Sequence, residues 1–198
     1  MSSMGHLSTQ ASTTPVKPIR FAHVVLRSQN VPEMSAFYKG LLAAEANFET
    51  SDVCFLTFDE EHHRVAIVGI PGLGEKQPLT AGLDHIAFTF GSLRELMTLY
   101  QQRKLKGLLP VWSVNHGTTM SLYYKDPDGN KVEMQADCFK TTDECNDFMR
   151  SASFAENPYG VDFDPEEVIR KLDAGEDEAD LMIRQEIGPR DPPPFMGM

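Results

Sequence analysis

Three polar side chains stand in runs that otherwise read as core. His23 sits in "FAHVVLR" among Phe21, Val24, Val25 and Leu26, and His85 sits in "LDHIAFTF" among Leu83, Ile86, Ala87 and Phe88. Glu133 stands inside "NKVEMQ", just after the turn-forming "DPDGN". Singly, each reads as an ordinary core histidine or a solvent-facing glutamate. Together they carry chemistry, because the two histidines occupy matching positions in two copies of one sequence unit and the glutamate closes the second copy. Two imidazoles and a carboxylate on adjacent strands make a three-ligand set with open coordination positions, the set used by non-haem Fe(II). A cation would also explain how a carboxylate is tolerated on a buried strand.

The copies that must position these residues are legible as a repeat. "IRFAHVVLRSQNVPEMSAFYKGLLA" starts at Ile19 and "GLDHIAFTFGSLRELMTLYQQRK" at Gly82. Each is a short apolar strand with one His, a polar break, then an amphipathic helix. Met34, Phe37, Tyr38, Leu41 and Leu42 keep helical spacing in the first, and Leu93, Leu96, Met97 and Tyr100 in the second. Pro32 and Ser92 suit the helix starts. Strand-like runs follow at 46–50, 53–58 and 64–70, and again at 110–114, 120–125 and 131–136. The linker "PGLGEKQPLTAG" separates the units. The expectation is an α+β fold of two βαβββ modules, 18–70 and 82–138, forming a curled mixed sheet around a metal cavity within one domain, 18–138. First strands lying side by side would bring His23 and His85 together at the pseudo-twofold axis.

Flanking segments differ in character. Residues 1–17 are Ser/Thr-rich without the apolar stretch of a signal peptide, and read as a disordered lead-in. Residues 139–198 form a helical C-terminal extension with an irregular Pro-rich tail. Helices are expected at 141–152, at 164–175 between Asp164-Pro165 and Gly175, and at 176–186. The extension is too short and polar for a domain, and is expected to pack on the core or on a partner subunit.

The 198-residue chain is 41% hydrophobic and 24% charged, with a net charge of −11. That charge argues against a nucleic-acid surface or an anionic membrane, and no apolar run approaches the roughly 20 residues of a membrane span. Three cysteines, Cys54, Cys138 and Cys145, form no CxxC pair. They suit free thiols in a reducing, cytoplasmic compartment.

The duplicated unit, "HVVLRSQNVPEMSAFYKGLL", "GLDHIAF" and "YYKDPDGNKVEM" together resemble the vicinal oxygen chelate superfamily, which includes glyoxalase I, fosfomycin and bleomycin resistance proteins and extradiol ring-cleaving dioxygenases. The resemblance runs from about Ile19 to Asp137. It implies metal ligation by His23, His85 and Glu133. Among its branches the single-domain extradiol dioxygenases fit best, because the strand "RVAIVGI" lacks the fourth ligand usual in glyoxalase I. The segment "DEEHHRVAIVG" is similar to one carrying a histidine beside the metal in these enzymes, which implies that role for His63, with His62 the alternative. Tyr123 matches a substrate-binding tyrosine, and His116 resembles a further histidine close to the reacting groups. The resemblance implies Fe(II), or Mn(II) with similar ligands, a catechol-like aromatic substrate, dioxygen as co-substrate and a homodimer. Phe21, Phe88, Trp112 and Met120 are candidate apolar lining. The rival readings are a metal-dependent isomerase, lyase or thiol transferase of the same superfamily, and a non-catalytic binder of an aromatic metabolite.

Overall fold

The computed structural model describes residues 14–77 and 79–193. The first module runs β1 (Val24–Ser28), α1 (Val31–Leu42), β2 (Glu45–Glu49), β3 (Val53–Thr57) and β4 (Val65–Gly69). The second runs β5 (His85–Phe90), α2 (Leu93–Lys104), β6 (Trp112–Asn115), β7 (Thr119–Lys125) and β8 (Lys131–Asp137). The sheets have equivalent strand orders, β1-β4-β3-β2 and β5-β8-β7-β6. In each, the first strand pairs parallel with the last and the other pairings are antiparallel.

Local chemistry sets the helices. Asn30 caps α1 by accepting from the Glu33 amide at 3.3 Å, and Ser92 caps α2 by accepting from Glu95 at 3.1 Å. The buried stripe of α1 is Val31, Met34, Ser35, Tyr38 and Leu41; that of α2 is Leu93, Leu96, Met97, Leu99, Tyr100 and Arg103. Both stripes meet in one continuous core with the inner faces of both sheets. Two polar contacts lock the modules together: the Tyr38 hydroxyl donates to Asp126 at 3.0 Å, and Arg103 Nε donates to the Leu41 carbonyl at 2.9 Å. Asp126 also accepts from the Asn130 amide at 2.7 Å and its side chain at 2.8 Å, so "DPDGN" is a carboxylate-closed turn, with Gly129 at φ +81°.

The sheets do not close into one. β1 and β5 are each terminal in their own sheet and are not hydrogen-bonded to each other. A cleft of about 330 Å³ lies at the seam, lined by residues including Phe21, Val24, Phe58, Arg64, Ile86 and Phe88. The first strands, expected side by side, instead belong to separate sheets and contribute Val24 and Ile86 to the lining of that cleft.

The extension comprises α3 (Thr142–Met149), α4 (Ala152–Glu156), β9 (Val161–Asp162), α5 (Pro165–Asp173) and α6 (Glu178–Leu181). Three features depart from expectation. The helix foreseen over 141–152 is broken, because Ser151 accepts from the Phe154 amide and starts a new one. The helix foreseen over 176–186 ends at Leu181, where the Met182 carbonyl is taken by the Asn115 side chain at 3.0 Å. β9 was not foreseen; it pairs with β6 and adds a fifth strand to the second sheet. Residues 1–13 of the predicted lead-in, and 194–198 of the tail, lie outside the described residues. No described helix is long and apolar enough to cross a membrane.

Candidate active site

Register assembles one face of the second sheet. Ala87 pairs with Glu133, Glu133 with Tyr123, and Tyr123 with Trp112, so these side chains share a row across four strands. His85 stands two residues before Ala87 and faces the same way. The opposite parity goes to the core. Met120, a candidate lining residue, pairs with Ala136 and is buried there, away from this face.

His85 Nε2 lies 3.0 Å from a Glu133 carboxylate oxygen. Its Nδ1 lies 2.8 Å from Asp84, which in turn accepts from Lys131 Nζ at 3.1 Å. A carboxylate on Nδ1 fixes the ring's orientation and leaves Nε2 for Glu133, the arrangement found behind metal-bound histidines. Hydrogen bonding to Glu133 and Asp84 raises the His85 pKa against the effect of burial. Glu133 is 4% exposed. Burial pushes its carboxyl up, but bonds from His85 and Ser121 outweigh this and hold it below the ordinary range.

The donor chemistry fits a divalent cation. An imidazole nitrogen and a carboxylate oxygen 3.0 Å apart have the spacing of two neighbouring ligands on one ion, at bond lengths of about 2.1 Å.

His23 lies elsewhere. It precedes β1, and its ring centroid is 4.3 Å from that of His63, which packs 5.0 Å from Phe55 and 4.4 Å from His62. Among the described residues no group of three His, Cys, Asp or Glu side chains converges. The structure thus joins two of the three expected ligands and leaves the third with the first module's histidines. Of the His62/His63 pair, His63 is the one against His23, while 70% of the His62 side chain is exposed. Burial, then the nearby His23 and His62, push the His63 pKa down.

His116 and Tyr123 do meet. His116 Nε2 is 3.0 Å from the Tyr123 hydroxyl, and its Nδ1 is 3.0 Å from the Tyr159 carbonyl. Trp112 stacks on Tyr123 at 5.0 Å, and His85 meets the Tyr123 ring edge-on at 5.4 Å. Burial and the Glu133 charge raise the Tyr123 pKa, so the hydroxyl stays protonated. Burial lowers the His116 pKa. Sequence reading missed Asp84, although a carboxylate directly before His85 was a visible signal. It also missed Tyr159, whose contribution is a backbone carbonyl and leaves no side-chain signature.

A pH dependence follows. A histidine whose folded pKa is below its unfolded value near ~6.5 disfavours folding once protons are available. Stability attributable to His116 is therefore complete above that value and is lost as pH falls toward the folded pKa. Thermal melts at pH 7.5 and 5.0 are expected to show a smaller acid-induced drop in His116→Gln than in the unsubstituted protein.

Residues 20–134 match the Glyoxalase/Bleomycin resistance protein/Dioxygenase superfamily, and the chain belongs to that superfamily. Two proteins of Rhodococcus globerulus are similar to it. Biphenyl-2,3-diol 1,2-dioxygenase 2 is 45% identical over 157 residues, 79% of this chain and 83% of that protein. Biphenyl-2,3-diol 1,2-dioxygenase 3 is 44% identical over 167 residues, 83% of this chain and 88% of that protein. Both matches are longer than the stretch 20–134 and so run into the flanking segments. The fold is also similar to the fosfomycin resistance protein FosX of Listeria monocytogenes, with a TM-score of 0.50 and 21% identity over 65% of this chain and 99% of that one.

Proposed function

We propose that the protein is an Fe(II)-dependent extradiol-type dioxygenase that cleaves the ring of a catechol or related vicinal dihydroxy aromatic. The observation that carries this reading is the His85–Glu133 pair set beside the Tyr123–His116 pair on one sheet face. Relatives named as biphenyl-2,3-diol dioxygenases support it. His85 and Glu133 would hold the metal, with His23 brought in from the first module and Mn(II) a substitute of similar ligand preference. When bound, Fe(II) would supply a route for electrons from the aromatic ring to dioxygen.

The remaining steps belong to the chain's own residues. The Tyr123 hydroxyl holds a substrate oxygen. His116 Nε2 and His63, imidazoles with lowered pKa, take a catechol proton and return it to the product. Phe21, Phe58 and Phe88 in the seam cleft receive an apolar ring substituent. The protein works as a homodimer in the cytoplasm, in keeping with three free cysteines.

The test is anaerobic reconstitution with Fe(II), followed by oxygen-electrode assays with catechol and biphenyl-2,3-diol. One dioxygen consumed per catechol, with a yellow ring-opened product, is expected. Turnover with Zn(II) or Ni(II) without oxygen would instead place the protein among the isomerases, and aromatic binding without metal would make it a sequestering protein. Asp84→Asn tests the ligand support: Mn(II) affinity by calorimetry is expected to fall about 10–100-fold, the usual scale for a partner behind a ligating histidine.

A further inference from the structure

We propose that the C-terminal segment 157–162 is a working part of the site: its Tyr159 carbonyl fixes His116 in the tautomer that presents an unprotonated Nε2 to the Tyr123 hydroxyl. The inference rests on the dioxygenase reading only for its catalytic consequence. A carbonyl oxygen only accepts, so His116 Nδ1, 3.0 Å away, must carry hydrogen. A neutral imidazole has one N–H, so Nε2 then holds a lone pair toward the Tyr123 hydroxyl 3.0 Å away, and competes with the Glu133 carboxylate for that hydroxyl's proton. Burial disfavours the charged ring.

The segment is built to hold that carbonyl still. Asn157, 2% exposed, accepts from the amides of Tyr159 at 3.1 Å and Gly160 at 2.9 Å, and donates to the Gly160 carbonyl at 3.0 Å. Gly160 has φ +89°, and a Cβ there would press on the Asn115 carbonyl and lie 2.8 Å from His116 Cα, so the backbones touch closely. β9 then pairs Val161 with Asn115, the residue before His116. The segment also grips the far side of Tyr123. Asp162 accepts from Trp112 Nε1 at 2.7 Å and from Arg190 at 2.7 Å, which holds the indole stacked on the phenol. These contacts make the extension a positioning element, acting through His116 and Trp112.

The experiment uses full-length protein labelled with 15N-histidine. Two-bond 1H–15N correlation spectra, with His116 assigned by its loss in His116→Gln, are expected to show a protonated Nδ1 and an unprotonated Nε2. An Nε2–H tautomer, or a mixture, in the unsubstituted protein overturns the inference. Asn157→Ala is expected to give a tautomer mixture and lower kcat for catechol by roughly 10–100-fold, the scale of small misplacements, with KM changed much less. Retained tautomer and kcat with only a lower melting temperature would mean a structural brace, and would also overturn it. Should Asn157→Ala not fold, Arg190→Met, which removes the Gly160 and Asp162 contacts and the cation over the Trp112 ring at a more solvated position, is read the same way. If the unsubstituted enzyme is inert to every catechol, the dioxygenase reading fails while the spectra still decide the tautomer.

Discussion

Glu133→Ala is expected to remove metal binding and ring cleavage while leaving the fold in place. The carboxylate is the most enclosed of the three proposed ligands, and its neighbours in register do not replace its charge: Ala87 on one side, Tyr123 on the other. Loss of metal-dependent charge stabilisation is worth several kcal/mol, or roughly a thousandfold in kcat/KM at ~1.4 kcal/mol per decade. Metal content measured beside circular dichroism checks this. The companion substitutions separate the partners. His85→Ala is expected to abolish metal binding and to destabilise as well, because it strands a buried carboxylate. The cost is roughly 2 kcal/mol, less than the ~3–5 of a fully buried pair, since 34% of the His85 side chain is solvated. Glu133→Ala leaves a partly exposed imidazole and a Ser121 hydroxyl that still has Thr119 as partner, and should melt closer to the parent protein. His23→Ala should also lose the metal; metal retained at parent stoichiometry would remove His23 from the set.

Arg184→Ala is expected to cost about 2–4 kcal/mol and to loosen the extension selectively, since each stranded buried acceptor costs ~1–3 kcal/mol. The Arg184 side chain is 2% exposed. It donates to the Asn157 carbonyl at 2.6 Å, the Ser153 carbonyl at 3.1 Å and the Ser153 hydroxyl at 2.8 Å, and lies over the Phe148 ring at 5.1 Å. One guanidinium thus ties α3, α4 and the Asn157 loop to the His116 turn. Urea unfolding gives the magnitude. Hydrogen exchange gives the location: protection should fall across 142–162 and hold in β3 and β4. Uniform loss across both modules would mean that the extension is not a separable unit.

Sequence legibility followed the range of the interactions. Strand alternation, helical spacing, caps and the Asp126–Asn130 turn are set by residues close along the chain, so the βαβββ repeat was readable from them. The face bearing His85, Glu133 and Tyr123 follows from parity once the β7–β8 register is known, and the same parity removes Met120 from it. The distance between β1 and β5 is different in kind. It depends on how two completed modules pack, through contacts such as Tyr38–Asp126 that no local pattern announces. For that reason the separation of His23 from His85 and Glu133 was not legible. The extension's part in the site was hidden for another reason, since it acts through a main-chain carbonyl.

The two-residue strand β9 has a consequence for how the molecule keeps to itself. By occupying the outer side of β6, it satisfies main-chain groups that would otherwise recruit strands from other molecules. A chain clipped ahead of Val161 would leave Val114 and Asn115 on an open margin, as β2 already is in the first sheet.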